Sequence, residues 1–481
     1  MAFSEPVFLF LFLPVLLLVY PRLPTSIRNG ALAAASILFY AWDEPANTLL
    51  LLGSIAINYF IGLGLDPDHG PKRLRFTLAL GVVTNLLLLG WFKYAGWLLT
   101  ELNPVLAALQ LPSIIAPNPE LPLGISFFTF QAISYLFDVH RGICPVQRKL
   151  TDLALYISLF PQLVAGPIVR YTEMARQLVE RRISQRGTAL GIRRFVIGLA
   201  KKVIVADTLA IPADAIFSIP ASDLTMPVAW LGATCYAFQI YYDFSGYSDM
   251  AIGLGRMLGF RIPENFRYPY LACSITEFWR RWHLTLSRWF RDYLYIPLGG
   301  NQTSPNRTYF NLLVVFLLCG LWHGASWTFV LWGIYHGSLL VIERMTKGVS
   351  LPKGIRWATT AILLLFGWVL FRSQSGEAAV GFALAMIGTT FGSVNYVEVA
   401  DFLTPEAATV WLIAAGGSAA MLPLLRRAIS RRIRRANDRT VRIQRLTTWH
   451  RIADFGTVAL FLLACIRISA STYVPFLYFR F

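Results

Sequence analysis

Long apolar runs, separated by short basic or proline-rich stretches, follow one another along most of the chain. A helix needs about 20 apolar residues to cross the hydrocarbon core of a bilayer. These runs therefore predict an all-α integral membrane protein with about 11–12 transmembrane helices, together with re-entrant and interfacial helices. The predicted spans lie near residues 3–22, 29–42, 45–64, 76–98, 121–138, 195–217, 227–250, 357–371, 407–425 and 453–468, with a shorter apolar segment at 378–391.

The apolar stretch at residues 152–169 differs from the others because Pro161, Gly166 and Pro167 interrupt it. Irregular backbone at membrane depth is tolerated only where protein covers it or where it lines a water-filled cavity. We therefore expect a re-entrant element that lines a cavity, with a kinked ordinary span as the alternative.

Residues 274–293 have helical periodicity. Ser274 and Glu277 have the spacing of a capping box, which satisfies the first free amides of a helix. At 100° per residue the pattern predicts one continuous interfacial helix, with His283 on its apolar face. The apolar face would carry Trp279, Trp282, His283, Leu286, Trp289, Phe290 and Tyr293, and the opposite face Arg280, Arg281, Arg288, Arg291 and Asp292.

A second histidine-containing region reads LWHGASWTFVLWGIYHG over residues 321–337. It lies in a predicted hairpin at 308–343, or in one crossing with a re-entrant turn, where no charged residue occurs between Arg307 and Glu343. A titratable group in such a run is costly unless it is paired, so His323 is a functional candidate. His336 follows 13 residues later, about 220° around a continuous helix, and is expected to face away from His323.

Further candidates lie at the end of the predicted span at 227–250, in the sequence QIYYDFSGYSDMAIG. Carboxylates near a span need partners or water. The candidates for tunnel-lining or donor-binding residues are Gln239, Tyr242, Asp243, Ser245, Trp279, Trp282, Trp322, Arg280 and Arg281.

Composition and charge narrow the class of protein. The chain is 56% hydrophobic and 14% charged, with a formal net charge of +17. Because the basic residues flank apolar stretches, they indicate positive-inside topology and anionic lipid headgroups, and no nucleic-acid partner is expected. The loop at 426–451 has ten arginines and one acid, Asp438. It is expected to be cytoplasmic, with a docking site for a cytosolic partner or an anionic lipid as the alternative.

The five cysteines are scattered without CxxC spacing, so neither a disulfide framework nor a metal site is expected. The chain also has no P-loop, GxGxxG, GxSxG or HExxH motif. A buried, neutral imidazole can still take a proton from a hydroxyl that attacks an acyl carbon. A second imidazole can orient the first or stabilise the developing oxyanion. The alternative for each histidine is a packing role in which it is bonded to a backbone carbonyl.

Several blocks of this sequence resemble the membrane-bound O-acyltransferase family, with the closest similarity to its bacterial alginate O-acetyltransferase branch. They are RRWHLTLSRWFRDYLYIPLGGN, LWHGASWTFVLWGIYHG, YYDFSGYSDMAIGLG, ENFRYPY, SLFPQLVAGPI and FFTFQAISYLFDV. The resemblance runs over nearly the whole chain and weakens after about residue 350. It implies a catalytic core at 1–350 and C-terminal transmembrane helices at 351–481. One departure is His140, which stands where the branch commonly has tyrosine.

The resemblance assigns the family's catalytic histidine to His323 and its second histidine to His283. It implies a ring of helices around a central tunnel, in which an acyl donor enters from the cytoplasm and the acceptor from outside. The donor expected is acetyl-CoA, which would be a substrate, and no bound cofactor is expected. Arg280 and Arg281 could attract its phosphates, with headgroup anchoring as the alternative.

The expected function is O-acetylation of an exopolysaccharide, alginate first, by a multi-pass protein of the bacterial inner membrane with periplasmic termini. The expected partners are the bilayer, a periplasmic or membrane-anchored SGNH-type acetyltransferase and a polysaccharide secretion complex. The alternatives are the same fold acting on cellulose, peptidoglycan or teichoic acid, the last with an acyl-carrier donor. A transporter or a non-catalytic scaffold are rivals of other classes.

Overall fold

The computed structural model describes residues 1–117, 119–346, 351–389, 397–421 and 439–470, and the single residues 424, 429 and 431. Helices and loops make up this described part of the chain, in which no β-strand occurs, as the apolar pattern predicts. The helices are α1 (Phe8–Arg22), α2 (Thr25–Ala41), α3 (Asn47–Leu63), α4 (Pro71–Lys93), α5 (Ala95–Ala108), α6 (Ile125–His140), α7 (Leu150–Ser158), α8 (Phe160–Leu163), α9 (Tyr171–Val179), α10 (Gln185–Ala200), α11 (Asp207–Phe217), α12 (Met226–Met257), α13 (Ile275–Trp279), α14 (Leu284–Phe290), α15 (Pro305–His323), α16 (Trp327–Met345), α17 (Lys353–Arg372), α18 (Gly376–Met386), α19 (Pro405–Ser418) and α20 (Arg439–Ala470).

Three of the described helices are long and apolar enough to cross a membrane: α4, α17 and the Arg451–Ala470 part of α20. Helices α1, α3 and α18 are apolar but shorter. Helices α3 and α4 turn large side chains away from the protein, since Leu49 and Phe60 of α3 and Leu87 of α4 are 75%, 69% and 68% exposed. An apolar exterior of this kind is suited to contact with lipid.

Helix α12 forms the centre of the molecule. Residues 241–255 of this helix are all buried. Helix α10 approaches it closely because glycines face each other where the two backbones meet. A Cβ atom added at Gly198 would lie 2.5 Å from the carbonyl oxygen of Gly246, and one added at Gly191 would lie 2.6 Å from that of Gly253. Small residues of this type let helices pack with their backbones in contact.

The interruption predicted at residues 152–169 is present. Helix α7 ends at Ser158, and the short helix α8 follows after Leu159, which has a ψ of 108°. The chain is then non-helical from Val164 to Arg170. A single kinked span therefore does not form here, and the segment has the broken form expected of a re-entrant element.

The prediction of one continuous helix over 274–293 is wrong. Ser274 does cap α13 by accepting a hydrogen bond from the Glu277 amide, while the Glu277 carboxylate accepts one from the amide of Cys273. Helix α13 ends at Trp279, however, and α14 begins only after His283. His283 breaks the helix because its backbone is left-handed, with a φ of +43°. The predicted aromatic and arginine faces therefore do not form on one helix.

The predicted hairpin at 308–343 consists of α15 and α16, joined through residues 324–326. Gly320 and Gly333 lie where the two helices meet, since a Cβ atom at Gly333 would be 2.4 Å from the carbonyl oxygen of Phe316. The turn ends at Ser326, whose hydroxyl caps α16. The fold thus places His323 at the end of one helix, directly before a reversal of the chain.

Residues 426–428, 430 and 432–438 of the predicted arginine-rich loop at 426–451 lie outside the described residues. Residues 439–451 form the first part of helix α20. The cytoplasmic position of this stretch stays a prediction.

Candidate active site

His323 is the last residue of α15 and is 4% exposed. Three aromatic rings surround its imidazole at centroid distances of 5.0 Å from Trp322, 5.2 Å from Trp332 and 5.2 Å from Phe371. Each ring meets the imidazole edge-on or nearly so. An apolar enclosure of this kind disfavours the charged form of the imidazole and keeps it available to accept a proton.

The end of α15 is held by side chains from α4 and the residue that follows it. The Lys93 ammonium donates hydrogen bonds to the carbonyl oxygens of Trp322, at 2.6 Å, and His323, at 3.3 Å. The hydroxyl of Tyr94 donates to the carbonyl of Leu321 at 2.8 Å. The last carbonyls of a helix lack partners within the helix, and a cation is favourable there. Lys93 and Tyr94 therefore fix the backbone that carries His323.

His283 is 1% exposed and lies between α13 and α14. Its Nδ1 atom is 3.2 Å from Oδ1 of Asn265, a residue in the loop after α12. The ring of Phe244 packs edge-on against it at 4.6 Å. Asn265 also binds the start of α14, because its backbone oxygen accepts a hydrogen bond of 3.0 Å from the amide of Leu284. These bonds account for the left-handed backbone at His283.

Trp322 lies against both of the predicted histidines. The centroid of its indole is 5.0 Å from that of His323 and 6.2 Å from that of His283. Phe130 of α6 packs on the same indole at 5.4 Å and stacks on Trp289 at 3.7 Å. Within the described part of the chain, the buried indole nitrogen of Trp322 has no hydrogen-bond acceptor. The two histidines, far apart in sequence, thus meet beside one aromatic ring.

The prediction that His336 faces away from His323 is wrong. His336 is 2% exposed, and its imidazole packs on Trp332 at 4.8 Å and on Trp279 at 5.2 Å. Trp332 is also in contact with His323. The calculation from a continuous helix fails because the chain reverses at residues 324–326, so His336 returns to the same side of the hairpin.

The candidates on α12 face other parts of the molecule. Asp243 forms an ion pair with Lys202, at 3.0 Å, in the π-helical turn between α10 and α11. The hydroxyl of Tyr242 donates to the carbonyl of Ala414 in α19, and that of Ser245 accepts a bond of 3.4 Å from Lys201. These three side chains therefore bind neighbouring helices. From the same stretch of α12, Phe244 contacts His283.

Gln239 is 5% exposed, and its side-chain oxygen has no donor among the described residues. The ring of Trp279 lies 5.7 Å from the ring of Trp332, which in turn contacts His323. Trp282 belongs to an adjacent aromatic cluster, 4.8 Å from Trp368. Trp279 therefore contacts a residue that touches His323, whereas Trp282 is one ring further away, because Trp368 lies 5.8 Å from Phe371.

The two arginine candidates lie near the surface. Arg281 is bound to the carboxylate of Glu277, at 2.7 Å, and to the carbonyl of Arg267. Arg280 is exposed. Arg280 is thus the more accessible of the two for a phosphate, whereas Arg281 would first have to leave Glu277.

Lys93, Asn265 and Phe244 are among the residues that hold the site and that the sequence does not identify. Lys93 resembles an ordinary cation at the end of a span, and Asn265 is an unremarkable polar residue in ENFRYPY. Phe244 is one aromatic residue among many. The only signal for Lys93 was its place in the apolar run 76–98, where a charge needs a partner.

The chain is similar to known proteins of one family. Residues 145–371, which include His283 and His323, match the family model described as "MBOAT, membrane-bound O-acyltransferase family". The chain is 40% identical to "Probable alginate O-acetylase AlgI" of Azotobacter vinelandii over the full length of both proteins. It is 45% identical to the protein of that name in Pseudomonas aeruginosa, over 83% of this chain and 77% of the relative.

The chain is also 39% identical to "Peptidoglycan O-acetyltransferase" of Helicobacter pylori, over 83% of each protein. Similarity of this extent, together with the apolar helices and the enclosed pair of imidazoles, agrees with the family suggested by the sequence blocks. The chain belongs to the membrane-bound O-acyltransferase family.

Proposed function

We propose that this acyltransferase takes an acetyl group from acetyl-CoA at the cytoplasmic face of the bacterial inner membrane and passes it outward for O-acetylation of alginate. The observation that carries the proposal is the meeting of His283 and His323 beside Trp322. The full-length similarity to proteins named alginate O-acetylase supports the choice of polymer.

In this proposal, neutral His323 is the general base. It accepts the proton of the attacking hydroxyl while the oxygen forms a bond to the thioester carbonyl carbon. The carbon–sulfur bond then breaks, and the thiolate of coenzyme A leaves with the proton that His323 returns. General acid–base catalysis of this kind typically contributes about 100- to 10,000-fold to the rate.

The indole nitrogen of Trp322 is placed to take part in the same step. It carries a hydrogen, it is buried, and it has no acceptor within the described part of the chain. A buried donor of this kind normally finds a partner. We assign it to the oxygen of the acyl group, where negative charge develops as the hydroxyl adds.

The attacking hydroxyl belongs to a periplasmic or membrane-anchored acetyltransferase of the SGNH type, which then carries the acetyl ester and completes the modification within the polysaccharide secretion complex. Peptidoglycan is the second candidate for the final acceptor, because the Helicobacter pylori relative is 39% identical over 83% of both chains. Analysis of acetyl esters in the exopolysaccharide and in the cell wall of the same strain separates the two.

The test is replacement of His323 by Ala in the producing strain. We expect the acetyl ester content of the polymer to fall to that of a deletion strain, because the base is gone, while the protein stays in the membrane fraction. His69→Ala is the control, since His69 lies in the loop between α3 and α4. Normal polymer acetylation in the His323→Ala strain would refute the mechanism.

A further inference from the structure

A chain of hydrogen bonds links the broken segment after α8 to the ring of His283. The amide of Ile168 lies 3.0 Å from Oγ1 of Thr285, and this hydroxyl lies 2.9 Å from Oδ1 of Asn265. Oδ1 of Asn265 is in turn 3.2 Å from Nδ1 of His283. Asn265, Thr285 and His283 are at most 2% exposed, so solvent does not compete for these bonds.

The direction of each bond follows from the groups themselves. A backbone amide can only donate, so Ile168 donates to the Thr285 hydroxyl, which passes its own hydrogen to Asn265. The amide of Thr285 also points at Oδ1 of Asn265, at 3.2 Å. This second backbone donor identifies that atom of Asn265 as the oxygen, and the side-chain nitrogen accordingly donates to Ser248, at 3.2 Å.

An amide oxygen that receives these bonds can only accept, so Nδ1 of His283 must donate to it. The neutral imidazole has one hydrogen, and its other nitrogen then carries a lone pair. We propose that Asn265 is a positioning residue that holds neutral His283 in the tautomer with hydrogen on Nδ1, so that Nε2 acts as an acceptor toward the substrate. This inference rests on the proposed function, in which His283 works beside His323.

The assignment divides the chemistry of the site. Neutral His283 cannot stabilise an oxyanion through Nε2, because that atom has no hydrogen to donate. One of the two roles expected for His283 from the sequence is therefore removed, and the donor to the oxyanion must come from another group, such as the indole of Trp322. His283 instead accepts a hydrogen bond from a second polar hydrogen of the acyl acceptor, because the hydrogen of the attacking hydroxyl goes to His323.

The test combines two variants with a direct measurement of the tautomer. Protein labelled with ¹⁵N in its histidine rings is reconstituted in bilayers, and the resonances of His283 are assigned by their loss in His283→Gln. We expect a protonated Nδ1 and an unprotonated Nε2 in the wild type. Asn265→Asp retains an oxygen acceptor and is expected to keep this tautomer, whereas Asn265→Leu removes the acceptor and is expected to lose it.

Acetyl transfer from acetyl-CoA by the same preparations gives the functional readout. Asn265→Leu is expected to lower kcat by about 100-fold, which is the lower end of the contribution of a positioned acid–base group, with an unchanged KM for the donor. Asn265→Asp is expected to retain most of kcat. If Asn265 had a purely structural role, the activity retained by Asn265→Asp and lost by Asn265→Leu would not follow the His283 tautomer of each variant.

A wild-type His283 with its hydrogen on Nε2 would overturn the inference, and so would an Asn265→Leu protein with unchanged tautomer and kcat. The wild-type spectrum decides the question even if Asn265→Leu does not fold. The spectrum also does not depend on the proposed function. Failure of the proposed function would be seen in a different result, namely acetyl transfer that survives in His323→Ala.

Discussion

The indole of Trp322 touches both imidazoles of the site. It is 4% exposed, and Phe127 and Phe130 of α6 hold it from the opposite side, each at 5.4 Å. The ring shapes the space between His283 and His323, and its N–H group is a separate feature that can bind an acyl oxygen. A phenylalanine at this position would retain most of the ring and remove the donor.

We expect Trp322→Phe to lower kcat for acetyl transfer by about 100-fold, since loss of one donor to an oxyanion costs about 10²–10³ in rate. The KM for the acetyl donor should change little, because the interaction strengthens only as charge develops. Trp327→Phe is the matched control, because Trp327 is 55% exposed. Steady-state kinetics in detergent or vesicles measures both, and full activity in Trp322→Phe would exclude the indole as a donor.

The histidines of the site could be predicted from the sequence, whereas the residues that hold them could not. His323 is conspicuous as a titratable side chain in an apolar run. His283 is predicted from an aromatic face, although the single helix that would carry this face does not form. Their supports come from distant parts of the chain: Asn265 is 18 residues from His283, and Lys93 is 230 residues from His323. No local periodicity contains that information.

Helix α15 ends at His323, and its last turn depends on α4. The Lys93 ammonium satisfies two carbonyls there and lies 5.9 Å from the centre of the Trp322 ring. A helix end in an apolar environment needs such partners, because an unsatisfied buried carbonyl costs about 1–3 kcal/mol. The contact between α4 and α15 therefore sets the position of the base.

Replacing Lys93 with Met keeps the length and the apolar character of the side chain and removes the cap. We expect the protein to lose about 1–3 kcal/mol of stability, the cost of leaving buried carbonyls unpaired, and acetyl transfer to fall because His323 is less well fixed. Lys72→Met is the matched control, since Lys72 is exposed at the other end of the same helix. Thermal unfolding of the two purified variants tests this, and equal melting temperatures would contradict it.

Sequence periodicity identified whole helices better than their interruptions. The pattern over residues 274–293 fits one helix, but the bonds that Asn265 makes to His283 and its neighbours favour a left-handed residue in the middle of it. His336 was misplaced for a similar reason, since a continuous helix was assumed across the turn at 324–326. Tertiary hydrogen bonds and chain reversals override a periodic pattern.

At the scale of the whole molecule, apolar runs predicted most of the fold because lipid and core both select for them. An apolar run does not, however, distinguish a helix that crosses the membrane from a helix that is buried inside the protein. Helix α12 shows this, since residues 241–255 are buried on every side. The number of crossings remains a prediction from the apolar runs. The orientation of the termini remains a prediction from basic residues such as Lys72, Arg73 and Arg75.

Single cysteines test that orientation. Asp68 and Ser113 are both exposed, in the loop after α3 and in the proline-rich loop after α5. We expect Asp68→Cys to react with an impermeant thiol reagent only from the cytoplasmic side and Ser113→Cys only from the periplasmic side. The native cysteines Cys144, Cys235, Cys273 and Cys319 are buried, and Cys465, which is partly exposed, is replaced by Ser so that background labelling is low. Labelling from the opposite sides would invert the proposed topology.

The most direct test of the whole account is acetyl transfer across a sealed membrane. The protein is reconstituted in vesicles with its cytoplasmic face accessible to labelled acetyl-CoA, and an acetyl-accepting SGNH-type partner is enclosed on the other side. We predict that label appears on the enclosed acceptor with the wild type and not with His323→Ala. Equal transfer by the two proteins, or transfer by neither one, would contradict the account.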